Sequence, residues 1–277
     1  MRLFRVTPVI LILAACGKAE KPAEQAAAAP VEPRVVHVTV TDYAFQAPDT
    51  LPSGLTSFHM MNNGKELHHL VLLKLAPGQT VADLAGVNME GPLPPGMIFM
   101  GGPNAPVPGG SAESLVDLKT GQYALLCIIP SPVDMKPHVA KGMIRPLTVI
   151  AGETVAAAPT PDLTITLSDY DFALSGPVSA GKHIIKIENT AEQPHELLLV
   201  KLEPGKTVAD VAKWSEKMQG PPPGVPFGGI TPISTGINNI VTVELAPGEY
   251  GLLCFVTDAK DGKLHILHGM VKQFTVS

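Results

Sequence analysis

The sequence predicts an all-β chain built as two tandem β-sandwich domains, each carrying one short helix. Three observations predict it. Apolar and polar residues alternate with period two in short β-branched runs, the mark of half-buried strands. The pattern recurs at a constant offset of 127 positions. Charged residues are sparse at 16% while glycine and proline number 26 and 28, as in a loop-rich β protein. Many short strands divided by turns, plus one helix, describe a β-sandwich or Greek-key barrel.

The chain opens with basic Arg2 and Arg5 and an apolar run at residues 9–15, too short to span a bilayer. It ends in Leu13-Ala14-Ala15-Cys16, which resembles a bacterial lipoprotein signal. That resemblance implies a signal peptide over 1–15 and lipid on Cys16 as the mature N-terminus. Gly17 then implies release to the outer membrane, with the protein facing the periplasm. Residues 16–34 hold mainly Ala, Pro, Glu and Lys without apolar period and read as a solvated tether.

The remaining residues, about 240, suffice for two domains of ordinary size. The first spans 35–151 and the second 162–277, with a small, proline-containing linker at 152–161. Each opens on a strand: Val36, Val38 and Val40 on one face, then Leu163, Ile165 and Leu167. Asp42-Tyr43-Ala44-Phe45 recurs as Asp169-Tyr170-Asp171-Phe172, read here as core packing. Strands follow at 55–61, 68–75, 114–118, 123–129 and 143–150, and again at 183–188, 195–202, 240–245, 250–256 and 270–276. Pro77-Gly78 and Pro204-Gly205 are turns, after which Thr80 and Thr207 each cap a short helix. The second helix runs through Trp214 and Met218. Pro/Gly-rich loops are expected at 91–110 and 220–229.

Four chemically telling residues keep the same offset. His68, Cys127, His138 and Met143 map onto His195, Cys254, His265 and Met270. Two imidazoles, a thiol and a thioether are the soft and borderline donors that copper favours. A duplicated core would repeat only its apolar positions, so the repeat reads as a duplicated site. Two non-lipidated cysteines in an oxidising compartment would ordinarily form a disulfide. Here each sits at the same place in its own domain, and pairing would require two equivalent interior strands to touch.

In this order the residues resemble the cupredoxin family of small Greek-key sandwiches holding one copper. Residues 62–68 and 189–195 look like its first histidine after an Asn-containing turn. Residues 121–127 and 248–254 look like its penultimate strand with the cysteine, and 138–143 and 265–270 like its second histidine and methionine. The resemblance implies two tandem cupredoxin-like domains, one copper in each, and one-electron transfer with a redox or copper-donor partner. The sites would then behave independently. The cysteine-to-histidine gap of eleven departs from the few positions of the common blue-copper pattern, whereas the histidine-to-methionine gap of five fits. Closing a longer loop costs little, under ~1 kcal/mol per doubling. The insertion leaves open solvent access or a fifth ligand.

His69 and His268 occur in one half only and are expected at the surface; Met97 and Met100 are expected to pack the loop. Other chemistries fail on spacing. His195-Glu196 starts like a metalloprotease motif, but Leu199 stands where the second histidine belongs. Two-domain copper oxidases need His-x-His pairs and a histidine beside the cysteine, and Leu126, Ile128, Leu253 and Phe255 occupy those places. The reading is therefore not an enzyme. The net charge of −5 is spread out with no basic stripe, which argues against nucleic acid. Alternatives are copper delivery without redox work and a metal-free interaction module.

Overall fold

The computed structural model describes residues 31–87, 89, 91–152, 156–217 and 219–277. The expected signal, Cys16, most of the tether and Met218 lie outside them. The first half comprises β1 (Arg34–Thr41), β2 (Ala44–Gln46), β3 (Thr50–Pro52), β4 (Gly54–Asn62), β5 (Val71–Lys74), β6 (Ile98–Phe99), β7 (Ser111–Leu118), β8 (Gly121–Leu126) and β9 (Ile144–Ile150). The second comprises β10 (Leu163–Ser168), β11 (Asp171–Leu174), β12 (Gly181–Asn189), β13 (His195–Leu202), α1 (Val208–Ser215), β14 (Gly224–Ile233), β15 (Asn238–Leu245), β16 (Gly248–Leu253) and β17 (Val271–Val276). No helix among the described residues is long and apolar enough to cross a membrane.

Each half is a β-sandwich of two facing sheets, consistent with a Greek-key arrangement. In the first, β2-β1-β4-β7 faces β3-β9-β8-β5-β6; in the second, β11-β10-β12-β15 faces β14-β13-β16-β17. The alternation seen in sequence decides which side chains enter. Val36, Val38 and Val40 meet Phe58, Met60, Leu72, Tyr123 and Leu125, all buried. Leu163, Ile165 and Leu167 meet Ile187, Leu199, Tyr250 and Leu252 likewise. Burying a side chain of this size stabilises by roughly 1.5–3 kcal/mol. Cys127 and Cys254 belong to these cores, as do Met143 and Met270.

The halves join through equivalent strands. β7 and β15 pair antiparallel at Leu115 and Ile240, so one eight-stranded sheet runs through both. Further along, Pro103 bridges Ile230, its own counterpart in the repeat. Thr231 N donates to Gly102 O at 2.9 Å, and Asn104 N donates to Gly229 O at 3.2 Å. Each bond is the image of the other, which places a local two-fold relation at this crossing. Residues 31–277 cluster as one compact unit. The described linker residues, 152 and 156–161, form no strand or helix.

Several local expectations change. Residues 220–229 were expected to be loop because of Pro221-Pro222-Pro223 and Gly228-Gly229, yet β14 begins at Gly224 and pairs along β13 with register shifts. Tertiary pairing overrides local punctuation here. The first-half helix is only a 3-10 turn, Val81–Leu84, ending where Gly86 takes φ +82°. Lys213 holds the matching place in α1, which continues. Both are started by a capping box, Thr80 with Asp83 and Thr207 with Asp210. The strands before the cysteines end at Leu126 and Leu253, one residue short of them.

Candidate metal centres

Each cysteine leaves its strand with its backbone pinned to the last strand's approach. Cys127 N donates to Met143 O at 3.2 Å, and Cys254 N to Met270 O at 3.3 Å. The segment between each cysteine and its second histidine closes on itself as a hairpin. His138 N donates to Ile129 O at 2.9 Å and Ser131 N to Lys136 O at 2.9 Å; His265 N donates to Val256 O at 2.8 Å and Asp258 N to Lys263 O at 2.7 Å. The second histidine thus begins a 3-10 turn, His138–Lys141 or His265–His268, that ends on a left-handed glycine. The hairpin returns the histidine to the cysteine and closes the site: all four histidines and both cysteines are 0% exposed.

His68, Cys127 and His138 converge, and so do His195, Cys254 and His265, with their donor atoms within 4.8 Å of one another. Cys127 Sγ lies 3.4 Å from His138 Nδ1. Cys254 Sγ lies 3.4 Å from His265 Nδ1 and 3.8 Å from His195 Nδ1, and the two Nδ1 atoms are 3.0 Å apart. Donors bound to one small ion at about 2.0–2.3 Å stand roughly 3–4 Å from each other. Met143 and Met270 are fully buried beside the cysteine in the same core cluster. Both cysteines are free thiols.

The far nitrogen of every one of these histidines faces a carboxylate. His68 Nε2 is 3.0 Å from Asp42 Oδ1 and His195 Nε2 is 3.1 Å from Asp169 Oδ1. His138 Nε2 is 2.8 Å from Glu66 Oε2, and His265 Nε2 is 3.7 Å from Asp258 Oδ2. A carboxylate accepts only, so in His68, His138 and His195 Nε2 carries the proton and Nδ1 presents its lone pair inward, whereas His265 Nε2 lies beyond hydrogen-bond reach of Asp258 and has no partner. His68 Nδ1 is then a buried polar atom with no partner. In the second half, the Nδ1 atoms of His195 and His265 stand 3.0 Å apart, so without a metal a proton on His265 Nδ1 bridges them and leaves His265 Nε2 unpartnered. A cation would satisfy His68 Nδ1, and in the second half it would replace the bridging proton and let His265 carry its proton on Nε2, toward Asp258; leaving either atom buried and unpartnered costs free energy. The residues fit a metal.

Burial keeps His138, His195 and His265 neutral and, when no metal is bound, the thiols protonated. Burial lowers His138, His195 and His265, the last to about 4 with the neighbouring His195 adding to the effect. Burial pushes the Cys127 thiol up to about 12 and raises Cys254 too. A metal therefore has to displace thiol protons on entering. Burial works to raise Glu66, but hydrogen bonds from His138, Ser131 and Tyr43 outweigh it and hold the carboxyl low. Asp258 is held low in the same manner, mainly through Tyr170 and Gln193.

These supporting groups are the ones sequence reasoning missed. Asp42-Tyr43 and Asp169-Tyr170 are not simply core: Phe45 and Phe172 are buried, while each aspartate supports the first histidine. Tyr43 and Tyr170 take φ +67° and +65°, and their hydroxyls donate to Glu66 and Asp258. Their common offset in the repeat was the available signal. His69 was expected at the surface and is 4% exposed, accepting from Ile128 N at 3.0 Å. His268 is exposed, paired with Asp261. Met97 and Met100 pack into the first half's cores.

No family model and no curated protein matches the sequence. Solved structures do. Dithionite-reduced auracyanin from the photosynthetic bacterium Roseiflexus castenholzii is 20% identical, over 41% of this chain and 94% of its own, with a TM-score of 0.29. Auracyanin A from Chloroflexus aurantiacus, a blue copper protein, is 18% identical over 41% and 99%, with a TM-score of 0.28. A blue copper oxidase from Nitrosomonas europaea is 13% identical over 89% and 86%, with a TM-score of 0.27.

Proposed function

We propose that this chain is a copper-binding, one-electron carrier with one ion in each half. His68, Cys127 and His138 would hold one, His195, Cys254 and His265 the other, with Met143 and Met270 as weak axial donors. The observation that carries the reading is the convergence in each half of two histidine nitrogens on a buried sulfur, three of the four histidines being oriented by a carboxylate hydrogen-bonded to Nε2. Copper supplies a one-electron couple; a thiolate and two imidazoles accept both of its oxidation states. The sandwich keeps the donors in place, so little has to move when the electron does. Closed burial of all three donors favours retaining the ion over handing it on.

No histidine flanks either cysteine, so a carrier fits better than an oxidase. Cys16 would carry lipid and hold the chain to the outer membrane, facing the periplasm, where a redox or copper-donor protein would meet it. Replacing Cys16 with serine should release the protein from membranes; unchanged membrane retention removes the anchor. Metal analysis with an optical spectrum of the purified chain tests the function. Two copper ions with intense visible absorption support it. Tightly held, colourless Cu(I) that never oxidises supports delivery instead, and no bound metal under reducing, copper-replete conditions leaves only the fold.

A further inference from the structure

His69 and Glu196 follow the first histidine of each half at equivalent positions, yet they share no chemistry. Both are buried, and both do the same two jobs. Glu196 N donates to Cys254 Sγ at 3.4 Å, and the His69 backbone N–H faces the Cys127 sulfur. Ile128 N donates to His69 Nε2 at 3.0 Å, and Phe255 N donates to Glu196 Oε1 at 3.0 Å. Each side chain therefore grips the backbone just past its own cysteine.

Asn104 lies between them, 2% exposed, at the crossing of the two halves. Its Nδ2 donates to Ile230 O at 3.0 Å and stands 3.4 Å from both Glu196 Oε2 and Leu197 O. The Asn104 side chain also lies beside His69. Its counterpart in the repeat is Thr231, whose hydroxyl donates instead to Leu70 O at 3.1 Å. Of these two equivalent residues, Asn104 makes the link to both halves' sites. The result is a buried chain of contacts from Cys127 through His69, Asn104 and Glu196 to Cys254.

We propose that His69, Asn104 and Glu196 form an internal relay that exchanges an electron between the two centres. This rests on the copper reading above and replaces the independent sites that the repeat alone predicts. The step balances within the molecule. One electron leaves Cu(I) at one centre and reduces Cu(II) at the other. No bond forms or breaks, no proton moves, and each centre is the other's oxidant or reductant. The unlike residues at positions 69 and 196 make the two ends unequal, which gives the exchange a preferred direction.

The test uses the full chain loaded with copper, its two absorption components assigned from Cys127→Ser and Cys254→Ser. After substoichiometric pulse-radiolytic reduction, electron redistribution should appear as a first-order phase independent of protein concentration. Asn104→Leu should slow that phase by about tenfold or more while copper content and spectra stay unchanged. Asn239→Leu is the control: Asn239 Nδ2 donates to Met100 O across the same crossing but touches neither site. That variant should leave the rate unchanged. If Asn104→Leu does not fold, Asn104→Ala removes the same hydrogen bonds without adding bulk. In the metal-free chain, Asn104→Ala should also shift the amide resonances of both Ile128 and Phe255. A copper-loaded protein with no concentration-independent phase, an unchanged rate in the Asn104 variants, or equal slowing by Asn239→Leu overturns the relay alone. A chain that binds no copper overturns the functional reading as well, and metal analysis shows that before any kinetics.

Discussion

Glu66 Oε2 lies 2.8 Å from His138 Nε2, and at the matching place in the second half the carboxylate belongs to Asp258, on a different loop. The two swaps are paired. Glu66 corresponds to Gln193, and Asp258 corresponds to Ser131. In the first half, Ser131 Oγ donates to the Glu66 carboxylate at 3.1 Å; in the second, Gln193 Nε2 donates to the Asp258 carboxylate at 2.9 Å. The residue types change and the negative charge behind the second histidine stays. Packing alone would not require that, whereas a histidine that must hold its Nε2 proton and offer Nδ1 does.

The exchange predicts a rescue. Glu66→Gln should weaken copper at the first site by about tenfold or more, the usual cost of losing a group that orients a ligand. Adding Ser131→Asp to Glu66→Gln rebuilds the second half's arrangement and should recover most of that loss. Competition titration against a Cu(I) chelator reads both. A double variant as weak as the single one shows that the carboxylate has no orienting role.

Removing one sulfur at a time separates the centres. Cys127→Ser should abolish about half of the visible absorption and Cys254→Ser the other half, because the thiolate defines the colour of such a site. Met143→Leu and Met270→Leu should keep the metal and shift the potential of the affected centre. A serine variant with the full spectrum would mark that half as a structural copy without a working site.

The repeat made the clustered histidines and cysteines legible because they and the apolar positions stay in step between the two halves. The strand alternation made the two sandwiches legible for the same reason. What lay hidden depends on contacts that no local pattern encodes. The joining of β7 to β15 brings together residues 125 positions apart, and nothing in either strand marks it as an inner strand of a shared sheet. The role of Asn104 is invisible because it arises from a crossing between halves, in a stretch rich in glycine and proline. His69 looked like a surface histidine because sequence shows its charge and not its burial. The carboxylate exchange was hidden because it breaks the repeat position by position while keeping it in space.

Glu196 gives the metal-free protein a pH-dependent stability. Burial raises its carboxyl to about 7 from 4.5, against the opposing hydrogen bonds from Phe255 N and Asn104. Between those values the folded chain holds a proton that the unfolded chain has released. The stabilisation is full below pH 4.5 and is lost as the pH rises through 7. The swing is on the order of 3 kcal/mol. Glu196→Gln has no such proton, so the stability of the native sequence relative to this variant should fall by that amount over the same interval. Urea unfolding of the metal-free pair at several pH values measures it. His265, lowered to about 4, acts in the opposite sense and cancels in the comparison. A difference that stays constant with pH would show Glu196 ionised throughout.

Gly102 and Gly229 are counterparts in the repeat and mark how tightly the halves are joined. Gly102 has φ +132° and a Cβ there would stand 2.1 Å from Leu70 O; Gly229 has φ +108° and a Cβ would stand 2.0 Å from Leu197 O. Both neighbours are backbone, which a rotamer change cannot clear. Those same carbonyls accept from Thr231 and Asn104 across the crossing. Gly229→Ala therefore combines a disfavoured backbone conformation, about 1–2 kcal/mol, with a displaced strand. A loss of roughly 3 kcal/mol would lower Tm by about 6–12 °C in a chain of this size. Because one sheet runs through both sandwiches, the native protein should unfold in a single calorimetric transition, and the variant should move that whole transition. Two separate transitions, of which Gly229→Ala shifts one alone, would show that the halves are stable independently and that the shared sheet contributes little.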